Sequence, residues 1–263
     1  MSELTIFAVP KGFEDPHIAM IQSNAIKSWT LLRPEPEILL LGNDPGVAEI
    51  CDRFVCRHHI DLRVNAWGTP LVSDAFRLGQ ELAEGTVVCY VNSDVILMQP
   101  FIEALDLVRQ QKEQFLMLSQ RWDWHKPHTI EFTPGWQMRT MDAAKSNGHL
   151  HNPFGIDAFF FTRGVFDEMP PFAFFYAWDN WLILDALRRN VPIVDVSQHV
   201  MLIHQDHPEK MDIQERQSAG MNPQRLRNLE LASDLVKIGG GPPGCVTASQ
   251  FVLAADGKVV ERK

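Results

Sequence analysis

The chain has 263 residues, 45% hydrophobic and 22% charged, the composition of an ordinary soluble globular protein long enough for one large α/β domain or two small ones. Its net charge is −9 with no basic block, which excludes a nucleic-acid partner held through phosphate contacts. The start, MSELTIFAVPKGF, has no basic n-region or cleavage site, no apolar run reaches the ~20 residues of a membrane span, and four cysteines in so long a chain read as reduced thiols, so a cytoplasmic protein is expected.

Apolar runs and helical stretches alternate along the first half. Leu4 to Val9 reads as a strand, and His17 to Leu32 as a helix with Ile18, Ile21, Ala25, Ile26 and Trp29 near helical spacing. Glu37 to Leu41 is a second strand, ended by the turn Gly42-Asn43-Asp44-Pro45-Gly46. Val47 to Arg57 reads as helix, Ile60 to Val64 as a short strand, Val72 to Ala83 as an amphipathic helix and Thr86 to Val91 as a buried strand. Cys51, Cys56, His58 and His59 lie close in sequence, but five-residue spacing on a helix puts the two thiols on different faces and argues against zinc.

The second half is less regular. Phe115 to Ser119 and Asp157 to Thr162 read as strands, with a long segment rich in Trp, His and Gly between them. Ala177 to Arg189 is a helix, Ile193 to Val196 a strand, and Val200 to His204 a further apolar run. Residues 205–222 are polar and loop-like, and a helix follows over about 223–237. GGGPPG then marks a breaker that makes 239–263 an appendage to a 1–238 domain. Repeated strand–helix–strand units imply an α/β fold with a mostly parallel sheet flanked by helices, whose ligands bind beyond the carboxyl ends of the strands.

Three features sit at such ends. In VVCYVNSDVILM, Asn92-Ser93-Asp94 interrupts two apolar runs. An unpaired buried charge is costly, so Asp94 either awaits a hard cation such as Mg²⁺ or Mn²⁺ at the sheet's mouth, with Asn92 near a ribose or a metal-bound water, or marks an ordinary turn. His204-Gln205-Asp206-His207 follows a second apolar run, where His204, with His207 in reserve, completes that coordination or forms a surface pair. Trp178-Asp179-Asn180-Trp181 opens a helix, where Asp179 is either an N-cap or an acid between sugar-stacking rings. No GxxxxGK[ST], GxSxG or HExxH occurs.

With FAVPKGF, QSNAIKSW, WGTPLVSDAF, YVNSDVIL, GIDAFFFTRGVF, WDNWLI and IHQDH in this order over residues 4–210, the chain resembles GT-A fold glycosyltransferases, family-2-like nucleotide-diphospho-sugar transferases. The resemblance implies a single Rossmann-like domain, with residues 1–100 binding nucleotide, 101–210 the acceptor, and 205–222 closing as a mobile loop. It implies that Val9, Pro10 and Lys11 line the base and ribose, with Lys11 near phosphate. Asp44 would contact base or ribose, and Asp74 and Arg77 the nucleotide. Asn92, Ser93 and Asp94 would form the Asp-x-Asp-type motif, with Asp94 and His204 on the metal. Asp157 would face donor sugar or acceptor, and Asp179 would be the general base of inverting members. Asn92 departs from the usual first carboxylate.

The expected activity is therefore metal-assisted transfer, with Mn²⁺ or Mg²⁺, from a nucleotide-diphosphate sugar to the hydroxyl of a glycan, lipid or small molecule. The alternatives are a non-catalytic carbohydrate-binding or scaffold protein on the same fold, and a metal-dependent hydrolase built on Asp94, His204, His207, His149 and His151.

Overall fold

The computed structural model describes residues 3–207, 222–236 and 244–262, with side chains throughout except at 233–236. Most of the expected mobile loop, 208–221, lies outside the described residues. Among the described residues no helix is long and apolar enough to cross a membrane.

The first strand, β1 (Leu4–Ala8), is buried at every position and pairs in parallel with β2 (Glu37–Leu41) on one side and β4 (Val87–Val91) on the other. Its side chains alternate between two cores. Leu4, Ile6 and Ala8 meet α1 (Pro16–Thr30), α2 (Val47–Phe54) and α4 (Pro100–Arg109), whereas Phe7 faces α3 (Val72–Glu81). Gly79 of α3 permits that contact, since a Cβ there would stand 2.6 Å from the Phe7 ring. Helices thus cover both faces of the sheet, as the continuous apolar strands require.

Nine strands complete this sheet in the order β13-β12-β10-β6-β9-β4-β1-β2-β3. It is parallel except where β9 (Ala158–Thr162) enters between β4 and β6 (Leu116–Leu118), and where β13 (Val259–Glu261) closes the edge. The segment read as an appendage is part of the sheet: β12 (Phe251–Leu253) pairs in parallel with β10 (Ile193–Asp195).

A second sheet runs β5 (Val95–Ile96), β11 (Leu202–Gln205), β7 (Arg121–Trp124), β8 (Gly148–Leu150). It holds two strands from the Trp- and His-rich segment, together with α5 (Trp136–Ser146). Two further helices, α6 (Trp178–Arg188) and α7 (Pro223–Val236), pack together.

Two expectations near residue 57 are corrected. Val55 adopts φ 58°, which ends α2 at Phe54, and the chain then pairs with β2 as β3 (Arg57–His59) rather than over Ile60–Val64. Cys51 and Cys56 are free thiols, pushed up to about 11 and about 12 chiefly by burial, and so are poor ligands at neutral pH.

Candidate active site

Helix α1 shows how the sequence builds the site. Asp15 caps it by accepting from the amides of His17 and Ile18 at 2.8 and 3.1 Å, and Pro16 supplies a first residue already in helical φ. The buried face includes Gln22, which holds two loops together. Gln22 accepts from the Lys11 amide at 2.8 Å and the Ser93 hydroxyl at 2.6 Å, and donates to the Lys11 carbonyl. Asn24 extends the network to Gln205, whose amide donates to the Asp94 carbonyl at 2.9 Å. These satisfied buried groups fix the loop after β1, the end of β4 and the end of β11 relative to one another.

A cavity of about 430 Å³ opens at these strand ends. Val9, Pro10 and Lys11 form one wall, Asp44 stands at the end of β2, and Asn92, Ser93 and Asp94 form the floor. His204 and His207 close one side, and Phe174, Phe175 and Trp178 the other. Nine residues expected from sequence therefore meet around one space. Asp74 and Arg77 are not in its lining. Asp74 is buried and takes hydrogen bonds from the Arg63 amide, the Arg63 guanidinium and Arg77, each at 2.8 Å, so it serves the packing of α3.

Asp94 is the unusual group. Its side chain is 11% exposed, with Oδ2 lying 3.2 Å from His207 Nε2 and 3.8 Å from His204 Nε2. Oδ1 is buried and has no hydrogen-bond partner among the described residues. Burial alone would push this carboxyl up; the charges and hydrogen bond of His204, His207 and Lys11 outweigh it and hold the group at about 2. An ionised, buried carboxylate with one oxygen unmatched, beside two imidazoles, has the donor set of a divalent-cation site, and the three ligand atoms lie within 4.8 Å of one another.

Asn92 does not join that set. Its Oδ1 accepts from the Tyr90 hydroxyl at 2.8 Å and its Nδ2 donates to Asp157 Oδ1 at 3.0 Å. Asp157 is also held by Arg121, whose Nη1 stands 3.0 Å from Oδ2. Asp157 thus faces Asn92 and Arg121 and is not in the cavity lining. Tyr90 carries the site into the core, since its ring packs on Phe76 and Trp178 at 5.4 and 5.3 Å.

Asp179 is not the N-cap of α6. Ala177, at φ 69°, holds that position, and Asp179 falls in the first turn, next to Trp178 of the cavity lining but not itself in that lining. Burial pushes its carboxyl up to about 6, with the charge of Asp157 adding to the rise and backbone amides opposing it. A carboxyl of that kind is half-ionised near pH 6 and mostly ionised at neutrality, the condition for a general base.

Sequence reading missed Gln22, Tyr90, Arg121 and Asp123. Asp123 lies on β7, where cross-strand register places it beside His204 on β11 and His149 on β8. His149 and His151 therefore converge on Asp123, and not on Asp94 as the hydrolase alternative requires. The signal lay in Arg121-Trp-Asp123-Trp, whose period of two is a strand pattern.

Among solved structures, the fold matches glucosyl-3-phosphoglycerate synthase from Mycobacterium tuberculosis in complex with Mn²⁺, UDP and phosphoglyceric acid, with a TM-score of 0.54 at 16% identity over 88% of this chain and 79% of that one. S. aureus TarS matches with a TM-score of 0.53 at 13% identity over 80% of this chain and 37% of that one. The fragment TarS 1-349, in complex with UDP-GlcNAc, matches with a TM-score of 0.51 at 11% identity over 80% and 60%. The chain therefore spans less than two thirds of the TarS chains it matches. No family model and no curated protein matches the sequence. The shared architecture is the GT-A fold of nucleotide-diphospho-sugar transferases.

Proposed function

We propose that this chain is a metal-assisted glycosyltransferase that takes its sugar from a nucleotide-diphosphate donor. The observation that carries the reading is Asp94, buried and ionised at the sheet's mouth, with one oxygen unmatched among the described residues and His204, His207 and Lys11 around it. Asp94, His204 and His207 would hold Mn²⁺ or Mg²⁺, whose charge offsets that of the departing diphosphate.

The remaining roles belong to side chains. Val9, Pro10 and Asp44 would meet the base and ribose, and Lys11 a phosphate; what supports this is that all four line one cavity. Phe174 and Trp178 offer apolar faces to a ring. In transfer, the anomeric carbon–oxygen bond to the diphosphate breaks as the acceptor oxygen bonds to that carbon. Asp179 takes the acceptor proton, with Asp157 and Arg121 setting the charge around it. We place the reaction in the cytoplasm, where four free cysteines stay reduced.

The matched synthase is described with Mn²⁺ and UDP, which makes UDP the first nucleotide to test. Melting should be measured with UDP, GDP, CDP and ADP, each with and without Mn²⁺. A ligand at a hundred times its dissociation constant stabilises by about 2.7 kcal/mol, so a true site gives a shift with one nucleotide that needs the metal. No shift with any of them at millimolar concentration would favour the non-catalytic carbohydrate-binding alternative on the same fold.

A further inference from the structure

The second sheet places a row of polar side chains across its strands. Register pairs His204 with Asp123 and Asp123 with His149, and His151 follows two residues after His149. The row continues past the cavity: Asp123, His149 and His151 are not in its lining. Yet one ligand atom from each lies within 4.8 Å of the others.

We propose that Asp123, His149 and His151 form a second cation site, separate from Asp94 and suited to a borderline transition metal of the Zn²⁺ class. Two imidazole nitrogens and one carboxylate oxygen are donors that Zn²⁺ takes readily, and here no bound diphosphate would add the oxygen ligands that suit Mn²⁺ or Mg²⁺ at the otherwise similar Asp94 set. Asp123 Oδ2 lies 2.6 Å from His151 Nδ1 and 3.6 Å from His149 Nε2, so the donors already converge.

Groups behind the donors support the assignment. His149 Nδ1 meets His125 Nε2 at 3.0 Å, and His125 Nδ1 meets Asp206 Oδ2 at 3.1 Å. One set of neutral tautomers satisfies this chain and leaves a lone pair on His149 Nε2. His125 donates through Nδ1 to Asp206, and His149 donates through Nδ1 to His125. A metal-binding histidine fixed by a carboxylate behind it has this arrangement. The His151 ring rests against Gly155, where a Cβ would stand 2.4 Å from the ring, so the backbone leaves room for the ring in this position. The His149 side chain is 58% exposed, which gives a cation a route from solvent.

The two sites share a boundary. Asp123 Oδ1 faces Arg121 Nε at 2.8 Å and His204 Nδ1 at 3.6 Å, while Oδ2 faces the other two histidines. A cation on Oδ2 would tie β8 to β7 and hold the carboxylate that flanks His204. Its role is structural.

Dialysis of the metal-free chain against Zn²⁺, followed by metal analysis, tests this. The expected result is a bound equivalent that survives Asp94→Asn and is lost in His149→Gln/His151→Gln, while the double variant keeps any Mn²⁺-dependent shift with a nucleoside diphosphate. Co²⁺ added in place of Zn²⁺ should give visible absorption that follows the same pattern. Melting without metal checks that the variants fold, and His149→Gln alone, at the more exposed position, replaces the pair if they do not. No Zn²⁺ uptake by the wild type, uptake unchanged in the histidine variants, or uptake lost in Asp94→Asn would each overturn the proposal. None of these outcomes depends on whether the chain transfers sugar.

Discussion

Tyr90 donates its hydroxyl to Asn92 at 2.8 Å, so the amide that stands where a carboxylate is usual is held by a phenol rooted in the aromatic core. The other end of that amide donates to Asp157. An aspartate at 92 keeps the Tyr90 bond but sets two carboxylates about 3 Å apart, which together retain one proton well above the usual range. Asn92→Asp should therefore cost about 1–3 kcal/mol near neutral pH. The penalty should shrink as the pH falls below about 4, where carboxylates become protonated in the unfolded state as well. Melting curves in the two pH ranges check this; an equal loss in both would place the cost in packing.

Asp179 carries the second expectation. Its carboxyl rises to about 6 through burial, against an ordinary value of 3.8. A raised folded value means a contribution to stability that is complete below about pH 4 and lost as the pH rises through about 6. Asp179→Asn should therefore be more stable than the parent at pH 8, by about 1–3 kcal/mol, and no more stable at pH 4. Transfer should rise with pH through about 6 in the parent and be lost in the variant, with donor binding kept. A variant that still transfers would remove Asp179 from the chemistry.

Asp94→Ala should abolish metal-dependent nucleotide binding while the fold survives. Calorimetric titration with a nucleoside diphosphate in the presence of Mn²⁺ reads it directly. Affinity within twofold of the parent would show that the cation is held elsewhere.

Asp74→Ala separates packing from binding. Burial alone would raise Asp74, and the Arg63 amide with the Arg77 and Arg63 guanidinium groups holds it below the usual carboxylate range. The stability it gives is thus present at neutral pH and lost on acidification. The variant should lose about 1–3 kcal/mol at pH 7, less below pH 4, and bind nucleotide as before. A tenfold loss of nucleotide affinity would return Asp74 to the site.

Gly79→Ala tests the contact between α3 and β1. A methyl group 2.6 Å from the Phe7 ring must move that ring, which touches Phe76 at 5.3 Å and Tyr90 at 5.5 Å. Overpacking should lower stability by about 1–3 kcal/mol, despite the better helix propensity of alanine. A variant as stable as the parent would show that the aromatic cluster is loose.

The legible parts of this molecule were those set by local pattern. β2 matches its expected bounds, and the strands from β1 to β4 deliver Lys11, Asp44 and Asp94 to one cavity because strand ends in a parallel sheet share an edge. The sequence said less where spacing along the chain is unrelated to spacing in space. Asp123 and His204 are cross-strand neighbours although far apart in sequence, and Gln22 acts from the buried face of a helix on two distant loops. Asp74 and Arg77 looked like nucleotide contacts through resemblance; which way α3 turns its polar side depends on Phe7 and Gly79, and no periodicity supplies that. The C-terminal strands were hidden by a glycine–proline run that interrupts the chain without ending the sheet.

Strand β9 joins β4 to β6, so among the described residues the two halves of the large sheet meet through residues 158–162 alone. During synthesis, β1 to β4 emerge together with the inner edge of Val87–Val91 still lacking its neighbour. An apolar strand edge in that state is a template for another chain, and partners distant in sequence arrive late and pair slowly. Nascent chains stalled before Ala158 would therefore carry an adhesive edge that finished chains conceal. The interval in which residues 92–157 are made is therefore the one in which this edge stands open.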